Sequence, residues 1–235
     1  MEASTRNTLG RWYDRHLASI LPSRRLLGAL SCLLVNCSIY SITQALAKGR
    51  VLTDMTTALD NAIPVVPGWS IVYVGCFLFW AVGYVLMGRG ESGRWHGIIT
   101  ADIAAKVLCG LIFLVLPTTN VRPALTGGGF SAWLLGLIYR MDPALDLFPS
   151  IHCLESWMCF RGVLGDDRIP RWYQWFSGAF ALAVCLSTLF TKQHVVADVV
   201  AGVAIGEIML LLARKFRWGG RAQRAMDWAD RRIFG

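Results

Sequence analysis

Long apolar runs alternate along this chain with short polar stretches. Five runs, at 26–46, 69–88, 98–117, 173–191 and 194–213, are each close to the ~20 residues that carry a helix across a bilayer. A sixth, at 151–164, is shorter and contains Glu155 and Arg161. Together they predict six transmembrane helices, because a helix satisfies its own backbone groups where no water is available. The first run follows Arg24 and Arg25 and ends near Ala45-Leu46-Ala47. It is longer than a signal-peptide core, and it reads as a retained span. Two connections stand out. Residues 47–68 end in the turn-forming IPVVPGW, and residues 118–149 form the longest loop. Within that loop the apolar FSAWLLGLIY (130–139) predicts a short amphipathic or re-entrant helix. The chain thus divides into a basic segment (1–25), a six-span domain (26–213) and a basic tail (214–235).

Composition strengthens the membrane reading. The chain has 235 residues, 55% hydrophobic and only 16% charged, which is too apolar for an ordinary soluble domain. Its net charge of +8 raises the question of nucleic acid, but the distribution argues against it. Most of the 23 Lys and Arg fall in the two ends and in the connections carrying Arg89, Arg94, Arg168 and Arg171. Six spans would put all of these on one face, and the positive-inside rule makes that face cytoplasmic, with both termini on it. Trp12, Trp69, Trp172 and Trp218 lie near span ends, as interfacial aromatics do. Membrane lipids are therefore the expected partners, with anionic headgroups drawn to the basic ends. The seven cysteines form no CxxC pair and read as small packing residues.

Three polar segments fall at one membrane face under this topology: LPTTNVRP (116–123), FPSIH (148–152) and TKQHVVAD (191–198). Arg122 offers a planar fork of donors suited to phosphate. Ser150 reads as the cap of a helix whose first turn holds His152. His194 and Asp198 are spaced i, i+4 and share a helical face, so the Asp can orient the imidazole. Lys192 adds a positive charge. Two His, one Asp and several cations suit nucleophilic transfer of an anionic group, most simply phosphoryl.

This pattern resembles the type 2 phosphatidic acid phosphatase (PAP2) superfamily, which also includes haloperoxidases and, more distantly, inositol phosphorylceramide and sphingomyelin synthases. Its signature is KxxxxxxRP, PSGH and SRxxxxxHxxxD. The chain shows Arg122-Pro123, then Pro149-Ser150-Ile151-His152, then Ser187 followed by His194 and Asp198 at the family spacing. The resemblance implies an all-α, polytopic membrane protein with a six-transmembrane-helix bundle. It implies a lipid phosphatase in which His194 is the nucleophile, Asp198 its orienter and His152 the acid for the leaving group. Arg122 and Ser150 would hold phosphate oxygens, and neither metal nor cofactor is needed. A phosphorylated lipid is the implied substrate, the site lying at the extracytoplasmic face of a membrane, most simply a bacterial inner membrane. Three positions depart from the signature: Val115 replaces its Lys, Thr188 its second Arg and Ile151 its Gly. Lys192 is the natural substitute for one cation and Arg140 for the other; Lys106 lies too deep.

Other readings use the same residues. Transfer of the phosphoryl headgroup to an alcohol would use the same intermediate as hydrolysis. A metal site built from His152, His194 and Asp198 would have only three ligands beside an excess of cations. A lipid carrier on the same fold would need none of the catalytic groups. Thr118 and Thr119 read as backbone partners beside Pro117, Glu155 and Ser156 as polar packing near His152, and Asp142 and Asp146 as turn caps. Asp102 and Glu207 read as structural pairs, and His16 and His96 as surface residues. The oligomeric state is left open.

Overall fold

Capping chemistry sets where the helices begin. In the computed structural model, which describes residues 6–125 and 127–235, the Asn7 side chain accepts from the Gly10 N–H at 2.8 Å and starts α1 (Thr8–His16). Pro22 and Pro170, whose rings pre-set a helical φ, precede α2 (Ser23–Ala47) and α8 (Arg171–Phe190). Thr57 and Asp60 form a capping box on α3 (Ala58–Ala62). Ser150 caps α7 (Ile151–Val163) by accepting from the Cys153 N–H at 3.3 Å. The other helices are α4 (Ser70–Arg89), α5 (Ser92–Val115), α6 (Phe130–Met141), α9 (Val196–Lys215) and α10 (Trp218–Ile233). The expected loop helix is α6. Two residues each from β1 (Thr53–Asp54) and β2 (Thr118–Thr119) pair in parallel and tie the two long connections together. Residues 1–5 of the basic segment and Thr126 of the long loop lie outside the described residues.

Five helices, α2, α4, α5, α8 and α9, are long and apolar enough to cross a membrane. They turn large apolar side chains outward, among them Leu34, Leu78, Leu111, Leu182 and Val200. A water-soluble protein would bury these, so the chain is an all-α, multi-pass membrane protein. The sixth apolar run forms α7, whose 13 residues rise about 20 Å. It packs against α4, α5, α8 and α9, and its Cys153, Leu154, Met158, Cys159 and Val163 are buried. Because protein surrounds it, α7 is free of the length and hydropathy that lipid imposes. It therefore accommodates Glu155, whose carboxylate lies 2.8 Å from the Lys106 Nζ, and Lys106 in turn lies 3.0 Å from Asp102. Arg161 is matched by Glu207 at 2.8 Å.

α5 and α7 form the centre of the bundle, and the two chain ends close it at one side. The Asn7 N–H donates to the Phe234 carbonyl at 3.1 Å, and Asp230 receives both Arg6 and the Ser23 hydroxyl. The basic ends are thus joined helices. One expectation is corrected here. His96 is buried inside the first turns of α5, bonded to the Ser92 carbonyl at 2.7 Å, rather than exposed. The reason is that α5 starts at Ser92, several residues before its apolar run, and α2 and α10 cover that extension.

Candidate active site

The chain between α8 and α9 is folded by its own side chains. The Thr191 hydroxyl donates to the Ser187 carbonyl at 2.6 Å, prolonging α8 by one bond. Lys192 then takes a left-handed φ of 54° and turns the chain. The N–H groups of Gln193 and His194 both return to the Thr188 carbonyl, at 2.9 and 3.1 Å. At the start of α9 the Asp198 carboxylate accepts from the Val195 N–H at 3.0 Å, as acidic groups in a first helical turn do. The same oxygen lies 3.2 Å from His194 Nδ1. His194 and Asp198 are both buried. With Nδ1 engaged, Nε2 is the imidazole nitrogen left for chemistry.

α7 brings the second histidine. The Ser150 N–H donates to the Asp198 carbonyl at 3.0 Å, joining the start of α7 to the first turn of α9. Gly202, one turn further along α9, permits this approach; a Cβ there would lie 2.3 Å from the Ser150 carbonyl oxygen. His152 consequently stands with its ring centroid 5.8 Å from that of His194. Its other neighbours come from α4. Tyr73 stacks on it at 4.5 Å, and Trp80 and Phe77 lie at 5.5 and 6.1 Å. Trp80 is itself fixed by donating to the Ser156 hydroxyl at 2.9 Å.

Arg122 reaches the residue before His194. One guanidinium nitrogen donates to Gln193 Oε1 at 2.7 Å and the other to the Asp142 carbonyl at 2.5 Å. Its plane lies 5.0 Å from the Tyr139 ring, whose hydroxyl donates to the Thr191 carbonyl. α6 therefore holds both the arginine and the histidine loop. Burial lowers the Arg122 pKa from its ordinary value, with Asp142 opposing that shift. Arg122 Nε and Gln193 Nε2 are buried donors with no partner among the described residues. Two unsatisfied donors, on Arg122 and on the residue preceding His194, suit an anion.

Lys192 goes elsewhere. Its Nζ donates to the Asp60 carbonyl at 2.5 Å. The Asp60 carboxylate accepts from the Val196 N–H at 2.7 Å and from Thr57 at 2.5 and 2.8 Å. Burial alone would raise the Asp60 pKa, but these hydrogen bonds and Lys192 hold it below the usual carboxylate value. Asp60 and Lys192 help to line an open cavity of about 630 Å³ against His194, with Asp54, Thr56, Asn61 and Asn120 in its wall.

The three polar segments thus meet at one end of the bundle. His194, Asp198, Ser150 and His152 are adjacent, Arg122 joins them through Gln193, and Lys192 is drawn to α3. Arg140 is exposed on α6, and Lys106 is buried between Asp102 and Glu155. Thr118 accepts from the Leu147 and Phe148 N–H groups and shapes the entry to α7. Among the described residues, no three His, Cys, Asp or Glu side chains are grouped closely enough to hold a metal ion. No family model, curated protein or solved structure matches the chain.

Sequence reasoning missed Asp60, Gln193, Tyr73 and Trp80. Asp60 carried a signal, since Thr57 and Asp60 have capping-box spacing, but nothing local tied α3 to residue 196. An aromatic inside an apolar run gives no sign that it faces a histidine.

Proposed function

We propose that this protein is a lipid phosphatase related to the type 2 phosphatidic acid phosphatases, working through a phosphohistidine. The observation that carries the reading is His194 held through Nδ1 by Asp198, with His152 across from it and Arg122 linked to the adjoining residue. In the reaction His194 Nε2 attacks phosphorus and the bond to the lipid alkoxide breaks. His152 gives its proton to that alkoxide. Water then attacks the phosphohistidine, the N–P bond breaks, and His152 takes the proton back. Asp198 stabilises the imidazolium that develops on His194. Arg122, Ser150 and Lys192 are the proposed phosphate ligands.

The departures from the family pattern have physical correlates. Thr188 is buried, its hydroxyl donating to the Cys185 carbonyl and facing the Cys153 thiol at 3.7 Å. An arginine would not fit that contact. Val115, at the position of the family lysine, is 82% exposed and faces away from the bundle.

For topology we propose six spans, with α7 as the sixth, both basic ends cytoplasmic and the histidines at the extracytoplasmic face of a bacterial inner membrane. The pairing of α1 with α10 at the end opposite the histidines supports it, as does the excess of Lys and Arg there.

A second reading, transfer to an alcohol, is favoured by one observation. The cavity against His194 carries Asp54, Thr56, Asn61 and Asn120, groups that recognise hydroxyls better than phosphate. The test is phosphate release from phosphatidate, phosphatidylglycerophosphate, isoprenyl phosphates and sphingoid phosphates, with and without chelator and added alcohol. Chelator-insensitive release that His194→Ala abolishes supports the reading. Phosphorylated alcohol in place of free phosphate supports transfer. Inactivity across the whole panel refutes both.

A further inference from the structure

α5 begins, and α9 ends, at the far end of the bundle from His194, about 30 Å away by helical rise. There α5, α9 and the start of α10 border an open cavity of about 300 Å³. Three arginines, Arg94, Arg214 and Arg217, are among its lining residues, and no acidic residue is. Arg94 is anchored by donating to the carbonyls of Arg161 and Leu164, which close α7. Arg214 and Arg217 are exposed and make no side-chain hydrogen bond or ion pair among the described residues, whereas Arg6, Arg24 and Arg161 are each paired with a carboxylate. Arg217 holds a left-handed φ of 51°, which turns the chain from α9 into α10 beside the cavity. Glycines keep the walls low. Gly219 lies against the α5 backbone, where a Cβ would meet the Gly93 carbonyl at 2.5 Å, while Gly97 and Gly220 face open space.

Three arginines around one cavity make a local positive field that favours an anion, with Asp166 and Glu91 acting on Arg94 and Glu207 on Arg214 from outside its lining. Guanidinium forks match the tetrahedral oxygens of phosphate. Apolar surface continues from the cavity: Leu210 lines it, and Leu211 and Phe216 are exposed beside it. We propose that this cavity binds the phosphate of an anionic lipid headgroup, with the acyl chains lying along the exposed apolar side of α9. The site is separate from the histidines and does not depend on the reaction assigned to them.

The test uses the full-length protein in detergent, titrated with phosphatidylglycerol and observed by native mass spectrometry. Wild type should retain one phosphatidylglycerol in preference to phosphatidylcholine. Arg214→Gln with Arg217→Gln should weaken retention by about tenfold or more, since two charge-assisted contacts are lost. Arg231→Gln with Arg232→Gln, which removes the same charge from α10 away from the cavity, should leave retention unchanged. Gly97→Leu and Gly220→Leu fill the cavity without removing charge and should also block retention. Equal retention by all variants overturns the proposal. Equal loss in the Arg231 and Arg232 control shows a general charge effect and overturns it too. Displacement of the lipid by millimolar inorganic phosphate supports the arginine cradle. Binding of inorganic phosphate without any preference for phosphatidylglycerol overturns the lipid assignment.

Discussion

Replacing Gly202 by Ala tests how the two histidines are brought together. The added Cβ would lie 2.3 Å from the Ser150 carbonyl oxygen and 3.4 Å from the Leu154 nitrogen. Carbon and oxygen do not approach much below about 3.3 Å, so α7 must retreat by roughly 1 Å. That movement acts on the 3.0 Å bond from the Ser150 N–H to the Asp198 carbonyl, and it carries His152 away from His194. Overpacking of this kind costs about 1–3 kcal/mol, or several degrees of Tm for a chain of this size. A displacement of about 1 Å at a reacting group costs on the order of 100-fold in rate. Gly206 supplies the control one turn along, since its Cβ would meet the Trp157, Met158 and Leu154 side chains at 3.6, 3.7 and 3.8 Å, which is ordinary contact. Gly206→Ala should therefore melt at or above wild type, because alanine favours the helix by about 1 kcal/mol. The assay is thermal unfolding of both variants in one detergent, with phosphate release measured on the same samples. If Gly202→Ala melts with Gly206→Ala, the close approach of α7 to α9 does not hold the site together.

The remaining predictions concern single groups. His194→Ala should remove turnover while leaving the melting transition in place; activity in that variant refutes its role as nucleophile. Asp198→Asn should lower kcat by about 10²–10⁴-fold through loss of the imidazolium's partner, read by single-turnover kinetics. Lys192→Ala should lower kcat/KM by about 10-fold or more if its charge serves the phosphate; an unchanged value leaves it as the anchor of α3 alone. Asp60→Asn should destabilise the protein in a pH-dependent way. The folded-state pKa of Asp60 lies below its ordinary value, so its contribution is complete above about pH 4 and fades as pH falls through the folded value. The gap in Tm between wild type and Asp60→Asn should therefore be constant from neutral pH to about pH 5 and close below about pH 4; a gap that persists in acid refutes it.

What the sequence discloses follows the range of the interaction. Apolar period and length depend on neighbours within one helix, so the five long helices and α6 were predicted close to their observed positions. His194 with Asp198 is four residues apart, and Ser150 with Cys153 is three, so both contacts are local. The short run at 151–164 was also legible, ending within one residue of α7, but the reason it is short was not. That reason lies in the four helices around it, which relieve it of facing lipid. His96 was misplaced for a related reason, because tertiary cover from α10 extends beyond the apolar run of α5. The bond from Asp60 to Val196 joins residues 136 positions apart, beyond any local pattern.

The same distinction bears on the cations. Motif spacing can show that Val115 and Thr188 lack charge, but only packing shows why no charge would serve there. Val115 faces outward, and Thr188 is closed in by Cys153. Lys192 is near His194 in sequence, yet its ammonium is drawn to the Asp60 carbonyl. Of the proposed cationic ligands, Arg122 is the one tied directly to the nucleophile loop, and its Nε remains unpaired among the described residues. On the proposed reading, Arg122 should therefore carry more of the phosphate recognition than Lys192. Arg122→Lys keeps the charge but loses the fork that spans Gln193 and the Asp142 carbonyl. It should cost more in kcat/KM than Lys192→Ala, and the opposite order would return the phosphate to the side of the site that Lys192 lines.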